Sequence, residues 1–250
     1  MEGVVILINA ATEQMAGRIM VALDYPNAEA AKQLIRQLEG IPCYMKVGMQ
    51  LFYATGPDFV RELKARGYKV FLDVKMHDIP NTVKGGANSV TKLGVDMFNV
   101  HAAGGVQMMR AAIDGVDAAI AADASLIKPT VIAVTQLTST NQQVMNDEIG
   151  IAGFVSEAVV RYARSSLEAG LNGVVASPQE VTLIKKACGA SFQTITPGIR
   201  PAGSDSGDQS RVMTPKAAFA EGTDYVVIGR PITAAANPRE SLETILKELV

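Results

Sequence analysis

The sequence predicts a single-domain (β/α)₈ barrel, the TIM-barrel class of α/β fold. Eight short apolar runs, each suited to a strand covered on both faces, alternate with segments whose apolar residues recur at helical spacing. Polar residues collect just after those runs, at the strand ends where a barrel carries its chemistry. No Ser/Pro/Gly-rich linker divides the 250 residues. Residues 1–17 read as an N-terminal extension of unassigned role and 18–250 as the barrel domain.

The strand-like runs are Ile19–Leu23, Cys43–Val47, Val70–Lys75, Met97–His101, Thr130–Val134, Gly173–Ala176, Phe192–Thr196 and Tyr225–Ile228. Between the first two, Ala28, Ala31, Leu34, Ile35 and Leu38 form one helical stripe. Val155, Val159, Tyr162, Ser166 and Ala169 form another, and Leu242, Ile245, Leu246 and Leu249 close the chain likewise. Asp24-Tyr25-Pro26, Gly56-Pro57, Ser177-Pro178 and Asn237-Pro238 mark transitions, because proline starts helices and breaks strands. An open doubly wound sheet is the competing arrangement, but no Gly-x-Gly-x-x-Gly turn follows the first run.

Composition narrows the function classes. With 48% hydrophobic and 19% charged residues and a formal net charge of −2, nothing marks a nucleic-acid surface. The one N-terminal apolar run, Val4–Ile8, is too short to span a bilayer and lacks the flanks of a signal peptide, so a cytoplasmic protein is expected. Cys43 and Cys188 stand far apart and read as buried thiols of a reducing compartment. With only His77 and His101, a multi-histidine zinc site is not expected.

Most of the chemistry gathers in Phe71-Leu72-Asp73-Val74-Lys75-Met76-His77-Asp78-Ile79-Pro80-Asn81-Thr82, where a strand runs into Asp-x-Lys-x-x-Asp. Strand alternation puts residues 71, 73 and 75 on one face, so a carboxylate and an ammonium follow an aromatic ring inward. Buried charges need partners, and the spacing alone leaves two readings open: a structural ion-pair network or a catalytic proton donor. Asp24, Lys46, His101, Thr138 and Arg200 fall at the ends of the other runs or just after them. After the last run, Gly229 lets a backbone approach an anion and Arg230 offers a bidentate contact, as phosphate sites of barrels require. A capped surface turn is the plainer alternative for Arg230. The polar stretch from Pro201 to Gln209 is either a surface loop or a lid over a bound phosphate. His101 suits a hydrogen-bonded support better than a catalyst, His77 a surface or scaffold position, and Met108-Met109 core packing.

The 71–82 string resembles the signature of the orotidine 5′-phosphate decarboxylase family. Similar segments follow in order: Ala22-Leu23-Asp24, Lys46-Val47-Gly48, Asn99-Val100-His101-Ala102-Ala103-Gly104-Gly105, Val134-Thr135-Gln136-Leu137-Thr138-Ser139, Thr196-Pro197-Gly198-Ile199-Arg200 and Val227-Ile228-Gly229-Arg230. They span about residues 18–235. The resemblance implies a homodimeric barrel, free of cofactor and metal, that converts orotidine 5′-monophosphate to uridine 5′-monophosphate and CO₂. It implies that Lys75 protonates the C6 carbanion, with Lys46, Asp73 and Asp78 completing a charged chain. Asp78 and Thr82 would act across the dimer interface. Asp24 would hold ribose hydroxyls, Thr138 would lie near ribose and base, and Gln209, Arg230 and the Gly229 backbone would bind phosphate, with Arg200 nearby. Asn141 departs from relatives that place a serine there against the pyrimidine and lid; an amide both donates and accepts.

The charges suit that chemistry. Loss of CO₂ leaves negative charge on a ring carbon with no adjacent carbonyl to spread it. Preorganised electrostatic stabilisation by an ammonium, which neighbouring carboxylates keep charged, is the larger expected contribution. Binding energy from the remote phosphate is then available at the reacting ring. Magnesium-dependent sugar-phosphate decarboxylases and hexulose-phosphate synthases share Asp-x-Lys-x-x-Asp, but need an acidic ligand near the end of the second strand, where this chain has Lys46. A non-catalytic nucleotide-binding barrel would not need the intact Asp73-Lys75-Asp78 set.

Overall fold

A computed structural model describes residues 9–201 and 212–250. Eight parallel strands close into a barrel in sequence order: β1 (Ile19–Ala22), β2 (Tyr44–Gly48), β3 (Lys69–Met76), β4 (Met97–His101), β5 (Thr130–Val134), β6 (Gly173–Val175), β7 (Gln193–Thr196) and β8 (Tyr225–Ile228). The seam closes where Val21 of β1 pairs with Ile228 of β8. The expected runs correspond to these strands within a residue or so at each end.

Among the described residues, α1 (Ala10–Ala16) precedes the barrel and α2 (Ala28–Gln37) follows β1. After β2 come α3 (Met49–Thr55) and α4 (Pro57–Ala65), and after β3 and β4 come α5 (Pro80–Thr91) and α6 (Gly105–Ala122). The remaining helices are α7 (Val155–Glu168), α8 (Val181–Cys188), α9 (Pro215–Ala220), α10 (Arg230–Thr233) and α11 (Pro238–Leu249). Each of the three expected stripes becomes a buried helix face: Ala31, Leu34 and Ile35 in α2, Val159 and Ser166 in α7, Leu242, Ile245 and Leu246 in α11. Asn27 and Asn237 cap the first and last of these by accepting from Ala30 and Glu240 N–H groups. The extension also holds structure, since α1 is capped by Asn9 and buries Thr12 and Ala16.

Both faces of the strands are covered, which explains their unbroken apolarity. Inside, Met20, Tyr44, Phe71, Met97, Ile132 and Ile195 pack together. Outside, Val21, Met45, Val70, Leu72 and Val131 pack against the helices, with Met108 and Met109 in the same layer. The aromatic and aliphatic plug fills the barrel beneath the C-terminal strand ends, so polar side chains above it meet an apolar floor. Cys43 is buried, and burial pushes its thiol up to about 12; Cys188 is only half-buried, contrary to expectation.

Candidate active site

A cavity of about 550 Å³ opens at the C-terminal strand ends. Asp24, Lys46, Asp73 and Lys75 line one side. Thr138, Arg200, Gly229 and Arg230 line the rest, arriving from the ends of β5, β7 and β8. Eight of the expected residues therefore share one space. Residues 202–211 lie outside the described part of the chain, and Gln209 and most of the expected lid with them.

The charged side is an alternating chain. Lys46 Nζ lies 3.1 Å from Asp24 Oδ1 and 3.3 Å from Asp73 Oδ2. Lys75 Nζ donates to the other Asp73 oxygen at 2.7 Å. The Lys46 side chain is only 8% exposed, whereas that of Lys75 is 28% exposed and faces the cavity. Burial works against a charged Lys46, yet Asp73 and Asp24 together more than offset it and raise the ammonium's pKa. Burial likewise opposes a charged Asp73, but Lys46, Lys75 and two hydrogen bonds outweigh it and hold the carboxyl below its usual value. Gly48 leaves room for this pair: a Cβ there would stand 3.1 Å from Lys46 Nζ and 3.2 Å from Asp24 Oδ1.

Alternation alone does not bring Lys75 in. Leu72 pairs with Phe98 and Met76 with Val100, so β3 spends residues 73–75 where β4 spends only Asn99. Two extra residues keep the parity, and Asp73 and Lys75 both face inward. Lys75 sits at φ 52°, the one non-glycine residue at positive φ among those described. Such a conformation costs a side-chain-bearing residue on the order of 1 kcal/mol and needs local support. Support comes from Asn99, fully buried in β4. Its amide oxygen accepts from Lys75 N–H at 2.8 Å, and its amide nitrogen donates to Asp73 Oδ1 at 2.7 Å. Neither Asn99 nor Gly48 is picked out as a site residue in the sequence. The available signals are a lone amide in an apolar strand and a glycine two residues past a strand-end lysine.

Other expected residues lie elsewhere. Asp78 and Thr82 are exposed outside the cavity, and an Asp78 oxygen accepts from Ile79 N–H at 2.6 Å. His101 accepts from Ala103 N–H through Nδ1 and stacks on His77, with ring centroids 5.4 Å apart. Burial, then His77 and Lys75, lower its pKa, so the imidazole is a neutral support. Asn141 caps the turn after β5 by accepting from Val144 N–H at 2.9 Å. Among the described residues, no three His, Cys, Asp or Glu side chains form a metal-binding group. The cation between Asp24 and Asp73 is the Lys46 ammonium.

Fold and site together define a class: a (β/α)₈ barrel with an alternating carboxylate–ammonium chain lining a cavity at its C-terminal strand ends. The chain belongs to the orotidine 5′-phosphate decarboxylase / HUMPS family, whose model matches residues 17–245. It is 48% identical over 234 residues to the orotidine 5′-phosphate decarboxylase of Bacillus cereus strain AH820, covering 94% of this chain and 98% of that one. The Bacillus anthracis strain CDC 684 protein of that name is equally similar. Among solved structures, the orotidine 5′-phosphate decarboxylase of Lactobacillus acidophilus superposes with a TM-score of 0.82 at 41% identity, covering 92% of this chain and 98% of its own. An uncharacterized conserved protein from Geobacillus kaustophilus gives the same TM-score at 42% identity, over 93% of this chain and 100% of its own.

Proposed function

We propose that this chain decarboxylates orotidine 5′-monophosphate to uridine 5′-monophosphate in pyrimidine biosynthesis, with no cofactor or metal, and that it works in the cytoplasm as a homodimer. The observation that carries the reading is the Asp24–Lys46–Asp73–Lys75 chain on one wall of a cavity whose other wall holds Arg200, Gly229 and Arg230. A nucleotide fits between such walls by its phosphate on the arginine side and its ring over Lys75. Family membership points the same way.

In this reading the C6–carboxylate bond breaks, CO₂ leaves, and the electron pair stays on C6. Lys75 Nζ donates its proton to that carbon and is reprotonated from solvent. Asp73 holds the ammonium in place, and Lys46 keeps Asp73 ionised from the far side. The fixed charges need no reorganisation as carbanion character develops. Asp24 binds ribose hydroxyls, and Thr138 lies by ribose and base. Arg230, the Gly229 backbone and Gln209 take the phosphate, with Arg200 beside them. Asp78 and Thr82, exposed beside Ile79 at 66% exposure, serve the site of a second copy. The Lys46 ammonium between the two carboxylates disfavours the magnesium-dependent alternative, because a divalent cation there would meet a like charge. Among the described residues, no helix is long and apolar enough to cross a membrane.

The direct test is CO₂ release from orotidine 5′-monophosphate in the presence of a chelator. Lys75→Ala should retain uridine 5′-monophosphate binding within about tenfold while kcat falls by more than about three orders of magnitude, as for a transition-state contact. Near-normal turnover by that variant rejects the proton-donor role.

A further inference from the structure

We infer that Asn99 is a positioning residue for the decarboxylation step, setting the Lys75 backbone and the orientation of the Asp73 carboxylate at once. The inference rests on the function proposed above and adds to it a residue that does not line the cavity.

The argument begins with the ladder. Opposite Asn99, β3 bulges by two residues, and within the bulge Lys75 N–H meets a side chain of β4 rather than its backbone. A buried amide without an acceptor is costly. The Asn99 side-chain oxygen supplies that acceptor at 2.8 Å. A residue at φ 52° returns to extended backbone unless something holds it, and this hydrogen bond ties Lys75 to a neighbouring strand.

The second half of the same amide orders the charges. Asn99 Nδ2 and Lys75 Nζ both donate to Asp73 Oδ1, each at 2.7 Å. Oδ2 is thereby turned to Lys46 at 3.3 Å. The carboxylate is held at both oxygens, and its rotation would break the Lys75 and Lys46 contacts together. Both hydrogen bonds also fix the amide's own orientation, since its oxygen must face the N–H and its nitrogen the carboxylate. No other residue type of this size supplies an acceptor and a donor in one plane. Leucine supplies neither, and an aspartate loses the donor while adding a like charge beside Asp73.

Asn99→Asp separates this role from ordinary core packing. It preserves size and the acceptor for Lys75 N–H, but puts an acid against Asp73. Burial and the like charge raise the pKa of that new acid, and only its protonated form can donate to Asp73. The expected result is a kcat at neutral pH reduced at least about tenfold, with KM changed less than about threefold. As pH falls through the new acid's titration, kcat should rise relative to the unaltered enzyme. A pH profile parallel to the parent's, or kcat within about twofold of it, overturns the inference. Asn99→Ser, which adds no charge, supplies the same kcat-against-KM reading if the aspartate variant does not fold. In the unaltered protein the Lys75 amide should be protected from hydrogen exchange, and rapid exchange there overturns the inference without any variant. Parent activity in the same assay separates the two readings. Absence of parent turnover rejects the proposed function, whereas parent turnover with unaffected Asn99 variants rejects only the role of Asn99.

Discussion

At the scale of single residues, charge pairing decides what can change. Lys46 is nearly buried between two carboxylates. Lys46→Met would leave Asp73 with one ammonium fewer in a poorly hydrated place, costing about 3 kcal/mol of stability, and should remove most activity. Urea unfolding beside the decarboxylation assay checks both. The pH dependence follows from the same groups. His101 has a folded pKa below the ordinary 6.5, so the unfolded chain binds its proton first. Its contribution to stability is full above pH 6.5 and is lost as pH falls toward the folded value. Asp73 behaves likewise in a lower window, full above 3.8 and lost further into acid. Lys46 acts on the other side, contributing fully below 10.5 and losing that contribution as pH rises through its raised folded value. His101→Asn should therefore flatten the decline in urea midpoint that begins as pH falls below 6.5 while leaving the deeper acid decline in place. A midpoint curve parallel to the parent's rejects this account of His101. The lysines and aspartates were legible because charge at a strand end is conspicuous. Asn99 was not, because its partner is a backbone N–H inside a bulge, and no glycine marks that bulge in the sequence.

At the scale of elements, helix periodicity reads well where one face is continuously apolar, as in α2 and α11. It reads poorly where an element is short. The extension hides the seven-residue α1, and the segment after β2 divides at Gly56 into α3 and α4, with that glycine at φ 69°. Helix α5 matters for the site because it follows directly from the Asp78 loop. It packs closely on α6 at Gly115, where an added Cβ would collide with the Lys84 carbonyl oxygen. Backbone, unlike a side-chain tip, cannot turn aside. Gly115→Ala should cost about 2 kcal/mol by forcing the helices apart. A change of under about 0.5 kcal/mol in the urea midpoint analysis would show the pair to be more yielding than its geometry implies.

At the scale of the whole molecule, the barrel divides into a lower apolar plug and an upper charged rim. The parallel order and the closure were legible from eight two-sided runs, since a sheet covered on both faces leaves a simple pattern. The place of Asp78 is a different matter. One chain leaves it exposed and away from its own cavity, so the role proposed for it calls for a second copy. Mixing Lys75→Ala subunits with Asp78→Ala subunits should restore activity to about a quarter of the parent level, since random pairing makes half the dimers hybrid and each hybrid retains one intact site. No restoration, with subunit exchange verified by mass, rejects the shared site.

The three-against-one register of β3 and β4 has a consequence for how this barrel can be altered. The neighbouring pairs Leu72–Phe98 and Met76–Val100 are in step with each other, so the ladder would run on unbroken if two residues were taken out together. Taking out one would instead turn Met76 inward and send the whole following segment to the wrong layer. Lys75, the proposed proton donor, is thus carried on an even-numbered detour from a sheet that can close without it. Loss of chemistry and loss of architecture become separable events in the reading frame of a single strand.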